Sequence, residues 1–329
     1  MSRKKALITG GAGFIGSHVA DRFLAEGYAV WILDDLSSGK RENVPSGATF
    51  VQGDIRGTAV DDVFREAGGF DVVCHHAAQI DVRISVADPR RDASINVDGF
   101  LNVIEAARTH GCGRFVFVSS GGVVYGEPEV RPTPETAPKL PLSPYGVTKL
   151  VAEQYLHYYR VTHGMQTVAL RYSNVYGPRQ DPHGEAGVVA IFSNRLRDGE
   201  PVTIFGDGEQ TRDYVYVGDV AAANYLVATV PLEAIERTLP NPKGAEALDV
   251  YAFNVGTSME TSVNELARLL MQASGRTVEV RHAPARPGEV QHSCIATDKL
   301  QSLGWQCAVT IEEGLGRTYR HIAGQEVAR

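Results

Sequence analysis

Little in this chain points to an extracellular, membrane or nucleic-acid role. Only four cysteines occur in 329 residues, and Cys74, Cys112, Cys294 and Cys307 include no Cys-x-x-Cys spacing. Reduced, partly buried thiols are the expectation, with no disulfide framework. No stretch approaches the ~18 apolar residues of a membrane-crossing helix. The run Ala6-Leu7-Ile8 behind Arg3-Lys4-Lys5 is too short for a signal-peptide core, so a soluble cytoplasmic protein is expected. Beyond Arg3-Lys4-Lys5 there is no basic block, and the net charge of -7 argues against a nucleic-acid partner. An anionic substrate stays open, because local arginines can outweigh the net charge. His75 and His76 are adjacent on a predicted strand and face opposite ways, so no metal site is expected. No internal repeat is visible.

What the chain does have is 43% hydrophobic content, enough for a substantial core. Lys5 to Thr9 reads as a buried strand, Phe14 to Glu26 as a helix stopped by Gly27, and Ala29 to Leu33 as a second strand ending in Asp34-Asp35. Further strands are expected at Thr49 to Val51, Val72 to Cys74, Phe115 to Val118 and Thr167 to Leu170. Between them stand helical patterns at Val60 to Ala67, Ala93 to Thr109 and Tyr145 to Thr162. Such alternation predicts an α/β fold, with a Rossmann-type doubly wound parallel sheet over residues 1–172. After Arg171 come Gly/Pro-rich loops (Tyr176 to Gly187), a helix at Val188 to Arg197 and short strands. Residues 173–329 read as a smaller α/β substrate lobe over the strand ends, with an approximate boundary that the chain is free to cross back over. Pro231 to Asp249 reads as a surface excursion, and Ser262-Val263-Asn264-Glu265 as a capping box opening a late helix.

Two short strings carry chemistry. In Thr9-Gly10-Gly11-Ala12-Gly13-Phe14-Ile15-Gly16, glycines 10, 13 and 16 sit between a first strand and a helix. They allow a tight turn, close approach to a pyrophosphate, and tight helix–strand packing, with the helix N-terminus facing the phosphate charge. Asp34 ends the second strand, where a carboxylate accepts both ribose hydroxyls and repels a 2′-phosphate. NAD is therefore expected over NADP. Gly53-Asp54-Ile55 is placed to frame the adenine, and Ala77-Ala78 leaves room beside the cofactor. In the second string, Tyr145-Gly146-Val147-Thr148-Lys149, Tyr145 and Lys149 are four apart and project from one helix face. Ser143 as N-cap and Pro144 as first helical residue fix where that helix begins. Bringing a phenol from ~10 to about 7 takes roughly 4 kcal/mol of phenolate stabilisation, for which Lys149 and a positive nicotinamide are the sources.

The chain resembles the extended short-chain dehydrogenase/reductase family, and most closely its UDP-glucose 4-epimerase branch. Besides the two strings, the resemblance rests on Leu33-Asp34-Asp35-Leu36-Ser37-Ser38-Gly39, Gly53-Asp54-Ile55-Arg56, His75-His76-Ala77-Ala78, Asn96 and Ser119-Ser120-Gly121-Gly122-Val123-Val124-Tyr125-Gly126. It continues through Arg171-Tyr172-Ser173-Asn174-Val175-Tyr176-Gly177-Pro178-Arg179, Arg212-Asp213-Tyr214-Val215 and Arg286-Pro287-Gly288-Glu289. The resemblance implies an NAD site that also uses Phe14, Ile15, Asp35, Ser38, Gly39, His76, Gln79, Asn96, Ser119, Lys149 and, on the nicotinamide side, Tyr172. It implies a nucleotide-sugar site with Arg212 and Arg286 on the diphosphate, Asn174 on phosphate or sugar and Glu289 on the nucleoside ribose. Val82, Ser85, Gly121, Val188 and Tyr214 are further candidates. The implied reaction takes the 4-hydroxyl proton onto Tyr145 and the C4 hydride onto NAD, then returns the hydride to the other face of a 4-keto sugar. Homodimerisation through the helices at Ala93 to Thr109 and Tyr145 to Thr162 is also implied.

One departure stands out. Epimerases usually carry a Ser or Thr hydroxyl at the position of Gly121, four before Tyr125; here Ser120, Ser119 or a water must substitute, and Ser120 is the choice. Gly122 and Val123 hold the positions of acid–base carboxylates in dehydratase and decarboxylase relatives, so dehydration is disfavoured. Ser293, seven after Arg286, is small where relatives limit the room around the sugar's C2, so N-acetylhexosamines are expected to be accepted too. A uronate substrate would need a cation near C6, with Arg83 or His183 as candidates. A reductase or dehydrogenase with net hydride transfer, and a non-catalytic dinucleotide sensor, are the competing readings.

Overall fold

The computed structural model describes residues 3–181, 187–285 and 290–325. Apolar runs without alternation, such as Ala6-Leu7-Ile8 and Val72-Val73-Cys74, are buried on both faces and become central parallel strands. In chain order the first half gives β1 (Lys5–Thr9), α1 (Phe14–Ala25), β2 (Ala29–Asp34), β3 (Thr49–Gln52), α2 (Ala59–Ala67) and β4 (Val72–His75). It continues with α3 (Val82–Ala87), α4 (Pro89–Ala93), α5 (Phe100–Thr109), β5 (Arg114–Ser120), α6 (Pro144–His163) and β6 (Thr167–Tyr172). The expected strands are present, with ends moved by one or two residues.

The helix expected over Ala93 to Thr109 is present without a break, but it is not α-helical throughout. A π-turn at Ser94–Gly99 separates α4 from α5. In that widened turn Asn96 is buried and bonds both the N–H and the carbonyl of Gln79, at 2.8 and 2.9 Å, and Gly99 lies flat on Ile55. Periodicity alone does not reveal such tertiary demands.

The second half supplies β7 (Asn174–Tyr176), α7 (Val188–Asp198), β8 (Val202–Phe205), β9 (Thr211–Arg212), β10 (Tyr214–Tyr216), α8 (Val217–Thr229), α9 (Leu232–Glu236) and α10 (Glu246–Asp249). Then come β11 (Ala252–Val255), β12 (Thr261–Ser262), α11 (Val263–Ser274), β13 (Val280–Ala283), β14 (His292–Ser293), α12 (Asp298–Gln301) and α13 (Ile311–Ile322). Seven parallel strands form one sheet in the order β11-β6-β5-β4-β1-β2-β3, so the chain returns from its second half to complete the sheet. One face packs α1 and α8 through Val19, Phe23, Val220 and Val227, and the other packs α2, α5 and α6 through Phe64, Val103, Ile104 and Leu156. Small sheets, β7 with β10, β9 between β12 and β14, and β8 with β13, make the lobe around a separate core of Phe192, Leu266 and Leu315.

Two local expectations need revision. Pro231 to Asp249 is not purely a surface excursion, because Ile235 is buried in the core and Asp249 ends inside the molecule. The Asp249 carboxylate is held there by Arg171 at 2.9 Å and Lys139 at 2.5 Å, cations that a composition reading cannot assign to it. Ser262 does cap α11, accepting from the Glu265 N–H at 3.1 Å, but the Glu265 carboxylate turns to Arg268 rather than completing a box. Among the described residues, no helix is long and apolar enough to cross a membrane.

Candidate active site

The carboxyl ends of the sheet strands gather most of the singled-out residues, and the order reverses between β1 and β4, where open sheets leave a crevice. Gly10, directly after β1, has φ +69°, and a Cβ there would fall 2.7 Å from the Ala77 amide nitrogen. A Cβ on Gly16 would fall 2.3 Å from the Gly10 carbonyl, so α1 can start against the turn only with glycine at both places. Gly13 is the N-cap of α1 and no side chain caps it. The first-turn amides of Phe14 and Ile15 are thus left for an anion.

Asp34 is nearly fully buried and accepts from the Ala12 N–H at 3.0 Å and the Leu36 N–H at 2.8 Å. Burial raises its pKa, and the two amide hydrogen bonds pull the other way. Gly39 packs on this carboxylate, where a Cβ would come within 2.8 Å of it. Asp35 and Ser38 are exposed beyond it, and the Asp35 carboxylate accepts from the Ser37 N–H. Asp54 is clasped by Arg56, which holds its pKa down, while Ile55 is buried under Gly99.

After β4 the two histidines part. His75 goes into the core and bonds the Thr9 hydroxyl at 2.8 Å. His76 has both ring nitrogens buried with no hydrogen-bond partner, and burial, aided by Lys149, lowers its pKa to about 3. An orphaned neutral imidazole beside Ala77 and Gly10 fits a polar ligand in the glycine-lined crevice, as do the uncapped α1 and the buried Asp34. Gln79 and Asn96 are bound to one another, the buried Asn96 amide bridging the Gln79 backbone. They share a buried network in which Asp92 accepts from Gln79 at 2.9 Å, Asn96 at 3.1 Å and Thr148 at 2.8 Å. Neither Asp92 nor Thr148 was distinguishable in the sequence from ordinary helix residues.

Tyr145 opens α6, whose start is fixed by the Ser143 hydroxyl accepting from Gly146 and by Pro144 in the first turn. One turn later the Lys149 ammonium lies 5.6 Å from the Tyr145 ring centre and donates to the Val118 carbonyl at 2.9 Å. Burial lowers its pKa to about 8, opposed by Asp92 and Glu153. Glu153, one turn further on and also missed from sequence, accepts the Ser119 hydroxyl at 2.5 Å and pairs with the fully buried Arg171 at 2.6 Å. The Ser119 hydroxyl is therefore taken. Ser120, half-buried at the end of β5, has no hydrogen bond to its hydroxyl among the described residues. Gly121 is crowded, because a Cβ there would be 2.9 Å from Ile295 Cδ1, 3.2 Å from its Cγ2 and 3.3 Å from the Tyr172 carbonyl oxygen, so a side chain requires Ile295 to shift.

The Tyr172 ring is buried, 6.5 Å from the His76 ring between centroids, with its hydroxyl accepting from Asn224 at 2.6 Å. The residue lines the region through its backbone, whose carbonyl accepts from the Gly121 N–H at 2.8 Å. In the lobe, exposed Asn174 starts β7, and buried Tyr214 pairs beside it on β10. Arg212 on β9 donates to the Thr211 carbonyl at 2.8 Å, and Ser293 on β14 is its register partner. Val188 is half-buried at the start of α7. Val82 and Ser85 lie on α3, where the fully buried Ser85 donates its hydroxyl to the Val82 carbonyl at 2.7 Å. Arg83 projects outward and pairs with Asp81 at 2.7 Å. Arg286, Glu289 and His183 lie outside the described residues.

The model of the NAD dependent epimerase/dehydratase family matches residues 6–238. A UDP-glucose 4-epimerase of Mycolicibacterium smegmatis is 43% identical over 320 residues, covering 95% of this chain and 97% of the relative. The crystal structure of a Thermotoga maritima UDP-glucose 4-epimerase with UDP-glucose superposes with a TM-score of 0.88 at 44% identity, covering 97% of this chain and 99% of that one. A Thermus thermophilus UDP-glucose 4-epimerase in complex with NAD superposes at 0.87 with 44% identity and the same coverage, 97% and 99%.

Proposed function

The chain belongs to the NAD dependent epimerase/dehydratase family, and on that premise we propose that it is an isomerase interconverting UDP-glucose and UDP-galactose through a 4-keto sugar. The observation that carries the reading is the pair of Tyr145 and buried Lys149 on one helix face, beside a glycine-lined crevice that ends in a buried Asp34. NAD, when bound, supplies the acceptor and donor for hydride at the sugar's C4, so no net oxidation results.

The chain's own residues do the rest. Gly10, Gly13, Gly16, Phe14 and Ile15 offer the turn and helix terminus to the dinucleotide pyrophosphate, Asp34 takes the adenosine ribose, and the unpartnered His76 is a further group for the cofactor. Lys149 holds a positive charge near Tyr145 and stabilises its phenolate, which removes the proton from the sugar 4-hydroxyl. Ser120 shares that hydrogen bond. Arg212, joined by Arg286, holds the diphosphate, with Asn174, Glu289 and Tyr214 around the nucleotide and sugar. The 43–44% identity to relatives named UDP-glucose 4-epimerase favours this reading over a dehydrogenase. Gly122 and Val123 supply no acid–base carboxylate for dehydration.

The decisive experiment incubates the purified protein, without added cofactor, with UDP-galactose, UDP-N-acetylgalactosamine and UDP-glucuronate in parallel. UDP-glucose should form from the first with no lasting rise in NADH absorbance. Net NADH production, or no conversion at all, would overturn the proposal. The small Ser293 supports turnover of the N-acetylhexosamine as well, and Ser293→Tyr should abolish that activity while sparing UDP-galactose.

A homodimer in the cytoplasm completes the proposal. Val147, Tyr158 and Val161 are 46%, 46% and 70% exposed, and their spacing puts them on one face of α6. Val161→Glu should convert a dimer into a monomer by light scattering, and a mass unchanged from the parent dimer would remove this face from the interface.

A further inference from the structure

Ile295 stands two residues past Ser293 and is 2% exposed. Its backbone is fixed from three directions. It bridges Thr133 in parallel, its N–H approaches the Asp213 carboxylate at 3.4 Å, and its carbonyl accepts from the Ser258 hydroxyl at 3.2 Å. Asp213 is itself buried and held by the Thr257 N–H and hydroxyl, both at 2.7 Å, so this anchor cannot easily drift.

The side chain so fixed packs against Gly121 and borders Gly256, whose nearest neighbour is the Asp213 carboxylate. A Cβ on Gly121 would lie 2.9 Å from Cδ1 and 3.2 Å from Cγ2 of Ile295, and one on Gly256 would lie 3.0 Å from Cγ1. The same side chain packs on Val124 and Tyr125. A residue on the segment that carries Ser293 thus presses on the loop that follows β5. Of the hydroxyls beside Gly121, that of Ser119 is bound to Glu153 and that of Ser120 is left.

We propose that Ile295 is a positioning residue: it crowds position 121, so that a side chain there requires Ile295 to move, and thereby favours residue 120 as the place from which a hydroxyl reaches the sugar. The inference rests on the epimerase reading above. Where position 121 carries a hydroxyl residue, the counterpart of Ile295 must be smaller or displaced, so the two positions are exchangeable as a pair and not singly.

The test compares kcat and KM for UDP-galactose across a set of holoenzyme variants. Ser120→Ala should lower kcat by about 10²-fold with KM little changed. Gly121→Ser should lower kcat by on the order of 10²-fold while Ile295 remains, because the loop is displaced, and adding Ile295→Ala should recover most of that loss. The combination Ser120→Ala, Gly121→Ser and Ile295→Ala should exceed Ser120→Ala with Ile295→Ala by about tenfold in kcat, the hydroxyl having moved one residue. Full activity of Gly121→Ser beside Ile295, or no gain in the triple variant, would overturn the proposal. If Gly121→Ser is insoluble, Gly121→Ala adds only the clashing Cβ and Ile295→Val removes only Cδ1. Rescue of the first by the second then supports the proposal, and its absence counts against it. Bound NAD and melting temperature are read throughout, so a folding defect is separated from a loss of chemistry. An inactive parent would instead sink the epimerase reading itself.

Discussion

At the scale of single residues, the protein sorts similar side chains by what already holds them. Ser119 and Ser120 are neighbours, yet one hydroxyl is spent on Glu153 and the other is not. His75 and His76 are neighbours too, and only His75 has a partner. Tyr145 and Lys149 form the chemically decisive pair, and Tyr145→Phe should reduce kcat by ~10²-fold or more with little change in KM, measured by coupled assay of UDP-galactose conversion. The pH dependence follows from Lys149. Burial favours the neutral amine, so the ammonium is lost as pH rises through about 8, well before a free lysine would lose it. The phenolate then loses its nearest positive charge, and kcat/KM should fall on that side. Lys149→Arg, whose guanidinium keeps its proton, should carry the descending limb to higher pH even if activity is lower overall. A limb that does not move would exclude Lys149 as its origin.

At the scale of elements, the same residue type serves different ends. The glycine turn joins β1 to α1 so closely that a methyl group at position 16 overlaps the Gly10 carbonyl. Gly16→Ala should therefore yield protein that purifies with less NAD and melts lower, read from the absorbance ratio of the purified protein and a thermal scan. Equal NAD content would show that the turn can yield without opening the crevice. In α6 the capping and first-turn residues were legible because Ser-Pro at a helix start is a local signal. The π-turn before α5 was not, since nothing local distinguishes a helix that must swing Asn96 inward to Gln79 from one that continues.

At the scale of the molecule, a buried charge network ties the second half to the sheet. Arg171 on β6 pairs with Glu153 on α6 at 2.6 Å and with Asp249 on α10 at 2.9 Å, and Lys139 reaches the same Asp249. Arg171 and Asp249 are 0% and 1% exposed at their side chains, so neither can turn to water if its partner is lost. Asp249→Ala should cost about 3–5 kcal/mol, because it strands buried cations. Urea unfolding of the variant against the parent measures this, and a cost under ~1 kcal/mol would show that water or a rearranged Lys139 satisfies the charge. The network also links Glu153, one turn past Lys149, to the segment just before β11, so an element far along the chain helps hold α6.

The sequence by itself determined the strand–helix alternation, the glycine turn with its terminal Asp34, and the Tyr145–Lys149 spacing. These are written in periods of two and 3.6 residues and in residues whose backbone demands are local. Only the tertiary structure decided which serine hydroxyl is left to act, what crowds position 121, where Asp249 ends, and that β11 returns to the sheet. Each of these depends on a contact between segments tens of residues or more apart, such as Ile295 on Gly121 or Arg171 on Asp249. Steric exclusion and charge pairing in a closed interior act on distance in space, which a linear order of side chains does not contain.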